Sequence, residues 1–197
     1  MKLLIATQNP GKVREYAEIL QGLPVDLVSL SDLQIHTAVE ETGETYTENA
    51  LLKARTYAAK AGLPTLADDS GLEVDALGGA PGVRSARYAG KDASDRDRYE
   101  LLLRNLEDVP EEERNARFRC VIAIVWPDGS EQVAQGTVEG RIVDQPRGEH
   151  GFGYDPVFHV PAFYRTMAEL APEIKNRISH RARAGEKARQ ILEAHIG

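Results

Sequence analysis

Cysteine is nearly absent from this chain of 197 residues, because Cys120 is the only one. A single cysteine excludes an internal disulfide and a zinc site built from four cysteines. It also favours a reducing, cytoplasmic setting. Cys120 lies in an apolar stretch and is interpreted as a core residue rather than a nucleophile. The five histidines show no metal-ligand spacing such as H-E-x-x-H.

Long apolar runs and an excess of positive charge are missing as well. No stretch approaches the roughly 20 apolar residues of a membrane span, and the apolar run at 3–6 is too short for a signal peptide. The formal net charge is −7, so an RNA-binding module with a broad basic face fits poorly. We therefore expect no membrane and no nucleic-acid partner. A small anionic ligand stays compatible, since a pocket needs only a few local cations.

The remaining composition is that of an ordinary globular protein, with 42% hydrophobic and 28% charged residues. The length fits one domain over 1–197, or two lobes that share one sheet. Apolar patterns predict strands over 2–6, 25–30, 65–67, 72–77, 116–126, 132–143 and 157–160. Helical spacing predicts helices over 10–20, 46–61, 94–107 and 179–196. This mixture predicts the α/β class, with a mixed β-sheet flanked by helices.

Local signals set several expected boundaries. Thr45 and Glu48 have the spacing of a capping box before the second helix, and Gly62 is a typical helix stop. Residues 127–130, Pro-Asp-Gly-Ser, are a strong turn signal and predict a hairpin between the two longest strands.

The first strand, loop and helix offer an anion-binding site. Backbone N–H groups at a helix start point outward, and the helix dipole favours a phosphate there. Asn9 is expected to cap this helix, with Pro10 at its first position. Lys12 would add a positive charge and Thr7 a hydroxyl group. The segment lacks the Gly-Lys-Ser/Thr ending of a P-loop, and a capped helix with a solvated lysine is the alternative interpretation.

Two adjacent carboxylates, Asp68 and Asp69, follow a predicted buried strand. In a strand the two side chains would point to opposite faces, so only one can readily serve a binding site. Carboxylate oxygens suit Mg²⁺, which keeps several waters for substrate phosphates to displace. An Asx turn leading into Gly71 is an equally compatible alternative.

The second predicted helix could contribute to the same chemistry. Asn49 and Lys53 are four residues apart and share one face of that helix. Glu41, just before the helix, could join them at its entrance. For these residues alone, a surface helix with scattered charges is the simpler alternative.

The loop at 151–156 places aromatic residues between glycines. Phe152 and Tyr154 could stack on a base, and Asp155 could accept hydrogen bonds from ring N–H groups. The alternative is a core aromatic under a turn. His180 and Arg181 fall in the first turn of the last helix, where cations are unfavourable. An anionic or carbonyl-bearing ligand would relieve that conflict, which favours a binding role.

Together and in this order, these segments closely resemble the inosine/xanthosine triphosphate pyrophosphatase family. Each motif is weakly specific alone, but the set is highly specific and runs through most of the chain. Only 108–115 and the hairpin turn look idiosyncratic. The shared motifs are Thr7-x-Asn9-x-x-Lys12, Glu41-Thr42-Gly43, Glu48-Asn49-Ala50-x-x-Lys53-Ala54, Asp68-Asp69-Ser70-Gly71-Leu72, Gly78-Gly79-Ala80-Pro81-Gly82-Val83, Ser85-Ala86-Arg87, Gly151-Phe152-Gly153-Tyr154-Asp155-Pro156, Lys175 and Ser179-His180-Arg181.

The resemblance implies two lobes around a long mixed sheet, a central active-site cleft that holds the nucleotide, and a homodimer. It also implies a role for each motif residue. The implied triphosphate ligands are Thr7, Gln8, Asn9, Pro10, Gly11, Lys12, Lys53 and Lys175. The implied Mg²⁺ ligands are Glu41 and Asp69, with Asp69 also the proton acceptor. The implied contacts to the rest of the substrate are Ser70, then Phe152, Gly153, Tyr154 and Asp155 at the base and sugar, and His180 and Arg181 at the base edge.

The implied reaction is hydrolysis of ITP, dITP, XTP and dXTP to a monophosphate and pyrophosphate, which removes damaged purines from the nucleotide pool. Donors on His180 and Arg181 would favour a 6-carbonyl over an amino group, because an unpaired buried donor costs about 1–3 kcal/mol. Two alternatives remain. Maf-type nucleotide pyrophosphatases carry paired serines and arginines in the opening loop, unlike this chain. A nucleotide-binding regulator would not need the water-activating carboxylate of Asp69.

Overall fold

The computed structural model describes residues 1–196, which form one mixed sheet of seven strands flanked by five α-helices. The strands are β1 (Lys2–Ile5), β2 (Asp26–Ser29), β3 (Thr65–Val74), β4 (Asn115–Val125), β5 (Glu131–Ile142), β6 (Phe158–Val160) and β7 (Arg165–Thr166). The helices are α1 (Pro10–Ile19), α2 (Tyr46–Ala61), α3 (Asp95–Asn105), α4 (Pro172–Ile178) and α5 (His180–Ile196). The order across the sheet is β2-β1-β3-β4-β5-β6-β7.

The sheet combines parallel and antiparallel pairs. β1 runs parallel to both β2 and β3, with Leu4 opposite Thr65. β6 runs antiparallel to both β5 and β7, with Arg141 opposite His159. Parallel neighbours require crossover connections, which α1 and α2 supply on the way from β1 to β2 and from β2 to β3. The predicted α/β class with a mixed sheet is confirmed.

The predicted capping box, helix stop and hairpin turn are all confirmed. Thr45 and Glu48 form a complete capping box on α2, and Gly62 ends that helix in the left-handed conformation with φ of 64°. The turn between β4 and β5 is closed by a hydrogen bond of 3.0 Å from the amide of Trp126 to the carbonyl of Ser130. These motifs satisfy backbone groups within a few residues of each other, so their signal lies in short sequence windows.

The structure corrects the prediction of two separate strands at 65–67 and 72–77. β3 is one continuous strand of ten residues, and Asp68 and Asp69 lie inside it, so the Asx-turn alternative is wrong. Two adjacent carboxylates resemble a turn in a sequence, but here each has a cationic partner that permits burial in a strand. The short elements β7 and α4 were not predicted. The loop at 78–90 contains a 3₁₀-helix over Gly82–Arg87.

The chain divides into two compact units. Unit 1 comprises 1–69, 120–136 and the chain from 180 onward, and unit 2 comprises 70–119 and 137–179. Each has its own buried apolar core. The core of unit 1 includes Leu3, Ile5, Tyr16, Leu20, Leu66, Ile122, Ile124, Ala184, Ala188 and Leu192. The core of unit 2 includes Leu72, Val74, Leu102, Leu106, Phe118, Val157, Phe158 and Met167.

One glycine in unit 1 permits a close approach between β5 and the start of α5. A Cβ atom at Gly136 would lie 2.2 Å from the carbonyl oxygen of His180 and 2.4 Å from the amide nitrogen of Ala184. Only a residue without a side chain leaves room for this packing. The contact fixes the first turn of α5, which carries His180 and Arg181. None of the helices in residues 1–196 combines the length and apolar character needed to cross a bilayer.

Candidate active site

The loop from β1 to α1 is held rigid by its own side chains. The Asn9 side chain accepts hydrogen bonds from the amides of Gly11 at 2.8 Å and Lys12 at 3.4 Å, which confirms Asn9 as the N-cap. The Thr7 hydroxyl accepts a further bond of 3.2 Å from the amide of Asn9. Pro10 is the first helical residue, as predicted. Gln8 is exposed, and its side-chain amide donates to the carbonyl of His36 at 3.4 Å.

Lys12 points from this helix turn to Asp68 on β3. Its ammonium donates to Oδ2 of Asp68 at 2.8 Å. On the same oxygen, the guanidinium of Arg181 approaches to 3.6 Å, and Arg181 also donates to Glu15 at 2.5 Å. Burial alone would raise the pKa of Asp68, but the charges of Lys12 and Arg181 hold that pKa well below its usual range. Asp68 is therefore a buried, ionised carboxylate.

Asp69, the next residue of β3, faces a different set of partners on α2. The Asn49 side-chain amide donates to Oδ2 of Asp69 at 3.1 Å. The ammonium of Lys53 lies 3.8 Å from Oδ1 of Asp69 and donates a hydrogen bond to Oε1 of Glu41. The structure therefore brings together Glu41, Asn49, Lys53 and Asp69, which the sequence spreads over 29 positions. Adjacent aspartates serve two separate clusters, as expected for opposite faces of a strand.

The charges in this second cluster shift one another. Burial raises the pKa of Asp69 to about 6, Glu41 adds to the rise, and Lys53 opposes it. Burial alone would lower the pKa of Lys53, but the carboxylates of Asp69 and Glu41 outweigh burial and raise it. Lys53 is thus a charged ammonium between two carboxyl groups. Asp69 is a carboxyl group whose proton affinity is tuned towards neutral pH.

The donor set around Lys53 fits a divalent cation of the Mg²⁺ type. Glu41 and Asp69 carry the hard oxygen donors that such an ion prefers, and the position between them already accommodates the ammonium of Lys53. No group of three or more His, Cys, Asp and Glu residues within 1–196 has the arrangement of an all-protein metal site. Two carboxylates suit Mg²⁺, which keeps several coordination positions for water and phosphate oxygens.

In unit 2, the loop at 151–156 is built around one buried ion pair. Oδ2 of Asp155 accepts hydrogen bonds from the amide of Phe152 at 2.9 Å and from the ammonium of Lys175 at 2.7 Å. The same ammonium lies 4.5 Å from the centroid of the Phe152 ring. At Gly151, whose φ is +79°, a Cβ atom would lie 2.0 Å from Oδ2 of Asp155, so glycine is required there.

Two further residues of unit 2 hold this loop in place. Asp95, at the start of α3, accepts a hydrogen bond of 2.7 Å from the amide of Gly153. The Tyr154 hydroxyl donates to the carbonyl of Ser85 at 2.8 Å, and burial raises the pKa of Tyr154. Tyr154 belongs to the core of unit 2, whereas Phe152 is only half-buried. Of the two aromatic side chains, Phe152 is therefore the one with accessible ring surface.

The sequence model of the Ham1 family matches residues 3–191. The chain belongs to the Ham1 family. A dITP/XTP pyrophosphatase of Geobacillus kaustophilus is 50% identical over 196 residues, which cover 100% of this chain and 96% of that protein. A protein of the same description from Geobacter sulfurreducens is 53% identical, again with 100% and 96% coverage. The resemblance inferred from the motifs is confirmed.

Solved structures of the Ham1 family share the fold described above. A HAM1 protein from Coxiella burnetii has a TM-score of 0.91 and 44% identity, with 98% of this chain and 99% of that chain covered. The Ham1 protein of Staphylococcus aureus has a TM-score of 0.89 and 43% identity, with 99% and 100% covered. Similarity at this level extends over the whole sheet and its helices.

Some Ham1-family motif residues have placements that the sequence did not suggest. Arg181 is among the largest fully buried side chains and contacts Glu15 and Asp68. Lys175 is buried against Asp155 and Phe152. Ser70 is half-buried in β3 next to Asp69. Sequence reasoning gave no role to Asp68, Glu15, Asp95 or Ser85. Only Asp68 offered a signal in the sequence, because an aspartate in a predicted buried strand needs a nearby cation.

Proposed function

We propose that this Ham1-family protein hydrolyses ITP, dITP, XTP and dXTP to the nucleoside monophosphate and pyrophosphate, and so removes damaged purines from the nucleotide pool. The observation that carries the proposal is the convergence of Glu41 and Asp69 on the ammonium of Lys53. The substrate class is supported by the close relatives described as dITP/XTP pyrophosphatases. We also propose a homodimer, as the motif resemblance implies, and a cytoplasmic setting, which the single cysteine favours.

Glu41 and Asp69 would hold Mg²⁺. Their oxygen donors match the ligands that this ion prefers, and the Lys53 ammonium beside them marks a position that favours positive charge. When bound, Mg²⁺ neutralises the charge that develops on the pyrophosphate leaving group.

The triphosphate would be held by the capped loop at 7–12 and by Lys53. The positive end of the α1 dipole and the charge of Lys12 in its first turn attract phosphate oxygens, although the amides of Gly11 and Lys12 already donate to Asn9. An ammonium has three donors, and Lys12 uses one on Asp68, so others remain for phosphate oxygens. Lys175 was predicted as a third triphosphate ligand, and that role stays a prediction.

Asp69 is proposed to accept the proton of the attacking water. A pKa of about 6 leaves the carboxyl group ionised at neutral pH yet basic enough to take a proton in the transition state. The Asn49 amide fixes the orientation of this carboxylate. The water oxygen forms a bond to the α-phosphorus, the bond from that phosphorus to the bridging oxygen breaks, and pyrophosphate leaves with the electron pair.

The base would stack on the Phe152 ring. The Lys175 ammonium contacts this ring, and Asp155 accepts a hydrogen bond from the Phe152 amide, so both residues hold it in place. Gly153 and Tyr154, from the same loop, and Ser70, from β3, are proposed to line the substrate. Contacts of His180 and Arg181 with the base edge remain a proposal. Arg181 would need to keep or exchange its contacts with Glu15 and Asp68 to make them.

The proposal is tested by incubating the protein and Mg²⁺ with eight purine nucleoside triphosphates: ITP, XTP, ATP, GTP and their deoxy forms. We expect pyrophosphate release that is fastest with the hypoxanthine and xanthine nucleotides. Asp69→Asn is the inactive control. Release of single phosphate, or equal rates for ATP and ITP, would contradict the proposal, and binding without turnover would indicate a regulator. Light scattering after size exclusion checks the dimer.

A further inference from the structure

The proposed function uses one of the two aspartates on β3 and leaves the other without a role. Asp68 is buried, and its side chain retains 1% of its exposure. Oδ2 of Asp68 receives the ammonium of Lys12 at 2.8 Å, from a residue 56 positions earlier. A buried carboxylate needs a cation, because an unpaired buried charge is strongly destabilising. Here Lys12 keeps 16% of its side-chain exposure and belongs to the phosphate loop.

Asp68 has a second cationic neighbour, Arg181, which is fully buried. The guanidinium of Arg181 lies 3.6 Å from the same oxygen, and its side chain is 1% exposed. Arg181 is itself held by Glu15, which stands one helical turn after Lys12 on α1. Asp68 thus contacts two cations, the fully buried Arg181 and the partly exposed Lys12 of the loop. The charge on Arg181 means that Asp68 does not depend on Lys12 alone for neutralisation.

The loop fixes the backbone of Lys12, whereas Asp68 holds its side chain. Asn9 caps α1 and fixes the amide of Lys12. Beyond the backbone, four rotatable bonds separate the helix from the ammonium. The hydrogen bond to Asp68 is the contact that selects one position for that charge. A charge fixed before the ligand arrives loses less freedom on binding than a mobile one.

We propose that Asp68 is a positioning residue that holds the Lys12 ammonium at the phosphate-binding loop. This inference rests on the proposed function for the role of Lys12 as a triphosphate ligand. The side chain of Asp68 is only 1% exposed, which shields it from a ligand bound at the loop. It acts by fixing where Lys12 presents its remaining donors, with Arg181 and Glu15 as the support behind it.

The test uses inorganic tripolyphosphate, which carries the phosphate chain without base or sugar. Its affinity is measured by calorimetry for the full-length protein and for Asp68→Asn, which keeps the side-chain shape and removes the charge. We expect affinity to fall about tenfold or more, in line with the cost of a misplaced binding group. Asp26→Asn, an exposed aspartate on β2, is the matched control and should leave affinity unchanged. Unchanged or tighter binding by Asp68→Asn would overturn the proposal.

A double-mutant cycle separates positioning from general damage to the fold. In a Lys12→Met background, Asp68→Asn should cost no further tripolyphosphate affinity, because the group that Asp68 positions is gone. Additive losses would show that Asp68 acts elsewhere and would overturn the assignment. This readout is binding of an inorganic ion. A failure to release pyrophosphate from ITP would therefore refute the proposed function while leaving the cycle interpretable.

A measurement on the unaltered protein covers the case in which Asp68→Asn does not fold. Lysine ammonium groups held by a carboxylate exchange protons slowly enough for detection by ¹H–¹⁵N NMR. The Lys12 signal, assigned by its loss in Lys12→Met, should be present before any phosphate is added and should persist after tripolyphosphate binds. A signal that appears only with tripolyphosphate would show that the ligand, not Asp68, orders Lys12.

Discussion

The ammonium of Lys53 donates a hydrogen bond to Glu41, which lies 12 positions earlier in the chain, and stands 3.8 Å from Asp69. One lysine therefore separates the two carboxyl groups proposed to bind a metal ion. In the metal-free protein this ammonium limits the repulsion between two partly buried carboxylates. The same ammonium competes with any divalent cation for those oxygens, so metal affinity and lysine position are coupled.

Lys53→Met is expected to bind Mn²⁺, used as a calorimetric substitute for Mg²⁺, more tightly than the unaltered protein when no nucleotide is present. Removal of the neighbouring positive charge should raise the affinity for a cation by on the order of tenfold, because the site is partly solvated. The KM for ITP should rise instead, because a phosphate ligand is lost. Lys60→Met, an exposed change on the same helix, serves as the control. Weaker Mn²⁺ binding by Lys53→Met would rule out the competition.

Asp69→Asn is expected to bind tripolyphosphate nearly as well as the unaltered protein but to lose turnover. The lysines and the capped loop remain, whereas the proton acceptor is removed, and general-base catalysis contributes about 10²–10⁴-fold. Single-turnover kinetics with ITP in excess Mg²⁺ measures the loss. A variant that retains full turnover would show that another group accepts the proton.

The same substitution is expected to stabilise the protein against urea when metal is chelated. The pKa of Asp69 is raised from 3.8 to about 6, so the folded state binds this proton more tightly than the unfolded state. That contribution to stability is present below about pH 4 and is lost as pH rises through about 6. At pH 8 the ionised carboxylate opposes folding, and Asp69→Asn should gain about 1–3 kcal/mol.

The gain in unfolding free energy from Asp69→Asn should be large at pH 8 and small at pH 4. Urea titrations with chelator at pH 4 should show little difference in unfolding free energy between Asp69→Asn and the unaltered protein. A gain of equal size at both pH values would mean that the substitution acts through packing and not through the charge of Asp69. Stabilisation together with lost turnover is the pattern expected of a site residue selected for chemistry.

The sequence predicts those features of the fold that depend on residues close together in the chain. Asn9, Thr45 and Gly62 mark helix ends because each satisfies backbone groups a few residues away. The continuity of β3 was missed because its polar centre reads as a turn unless the partners of Asp68 and Asp69 are known. Those partners come from elsewhere in the chain.

The ion pairs that organise the candidate site lie beyond any local pattern. The pair formed by Arg181 and Glu15 spans 166 positions, and no periodicity or spacing rule connects them. The family resemblance predicted that Glu41, Lys53 and Asp69 act together, but it attached Arg181 and Lys175 to the substrate alone. Packing shows each of them in a buried ion pair, which a list of motif residues does not contain.

Lys175→Met gives the sharpest test of what that buried pair does. Removing the ammonium leaves the carboxylate of Asp155 buried and removes the cation beside Phe152, at an expected cost of about 3–5 kcal/mol in unfolding free energy. Adding Asp155→Asn should recover part of that loss, because no buried charge then remains without its partner. Urea denaturation of the two single variants and the double variant measures both effects. Equal losses that simply add would contradict the pairing.

The same variant decides which part of the substrate Lys175 serves. If Lys175 serves the base platform through its contacts with Asp155 and the Phe152 ring, Lys175→Met should raise the KM for ITP while tripolyphosphate affinity stays within about twofold. If Lys175 holds the triphosphate, as the resemblance implies, tripolyphosphate affinity should fall together with ITP affinity. Lys175→Arg keeps the charge with a different shape, and its partial rescue of the KM would show that the cation beside Phe152 matters more than the exact ammonium geometry.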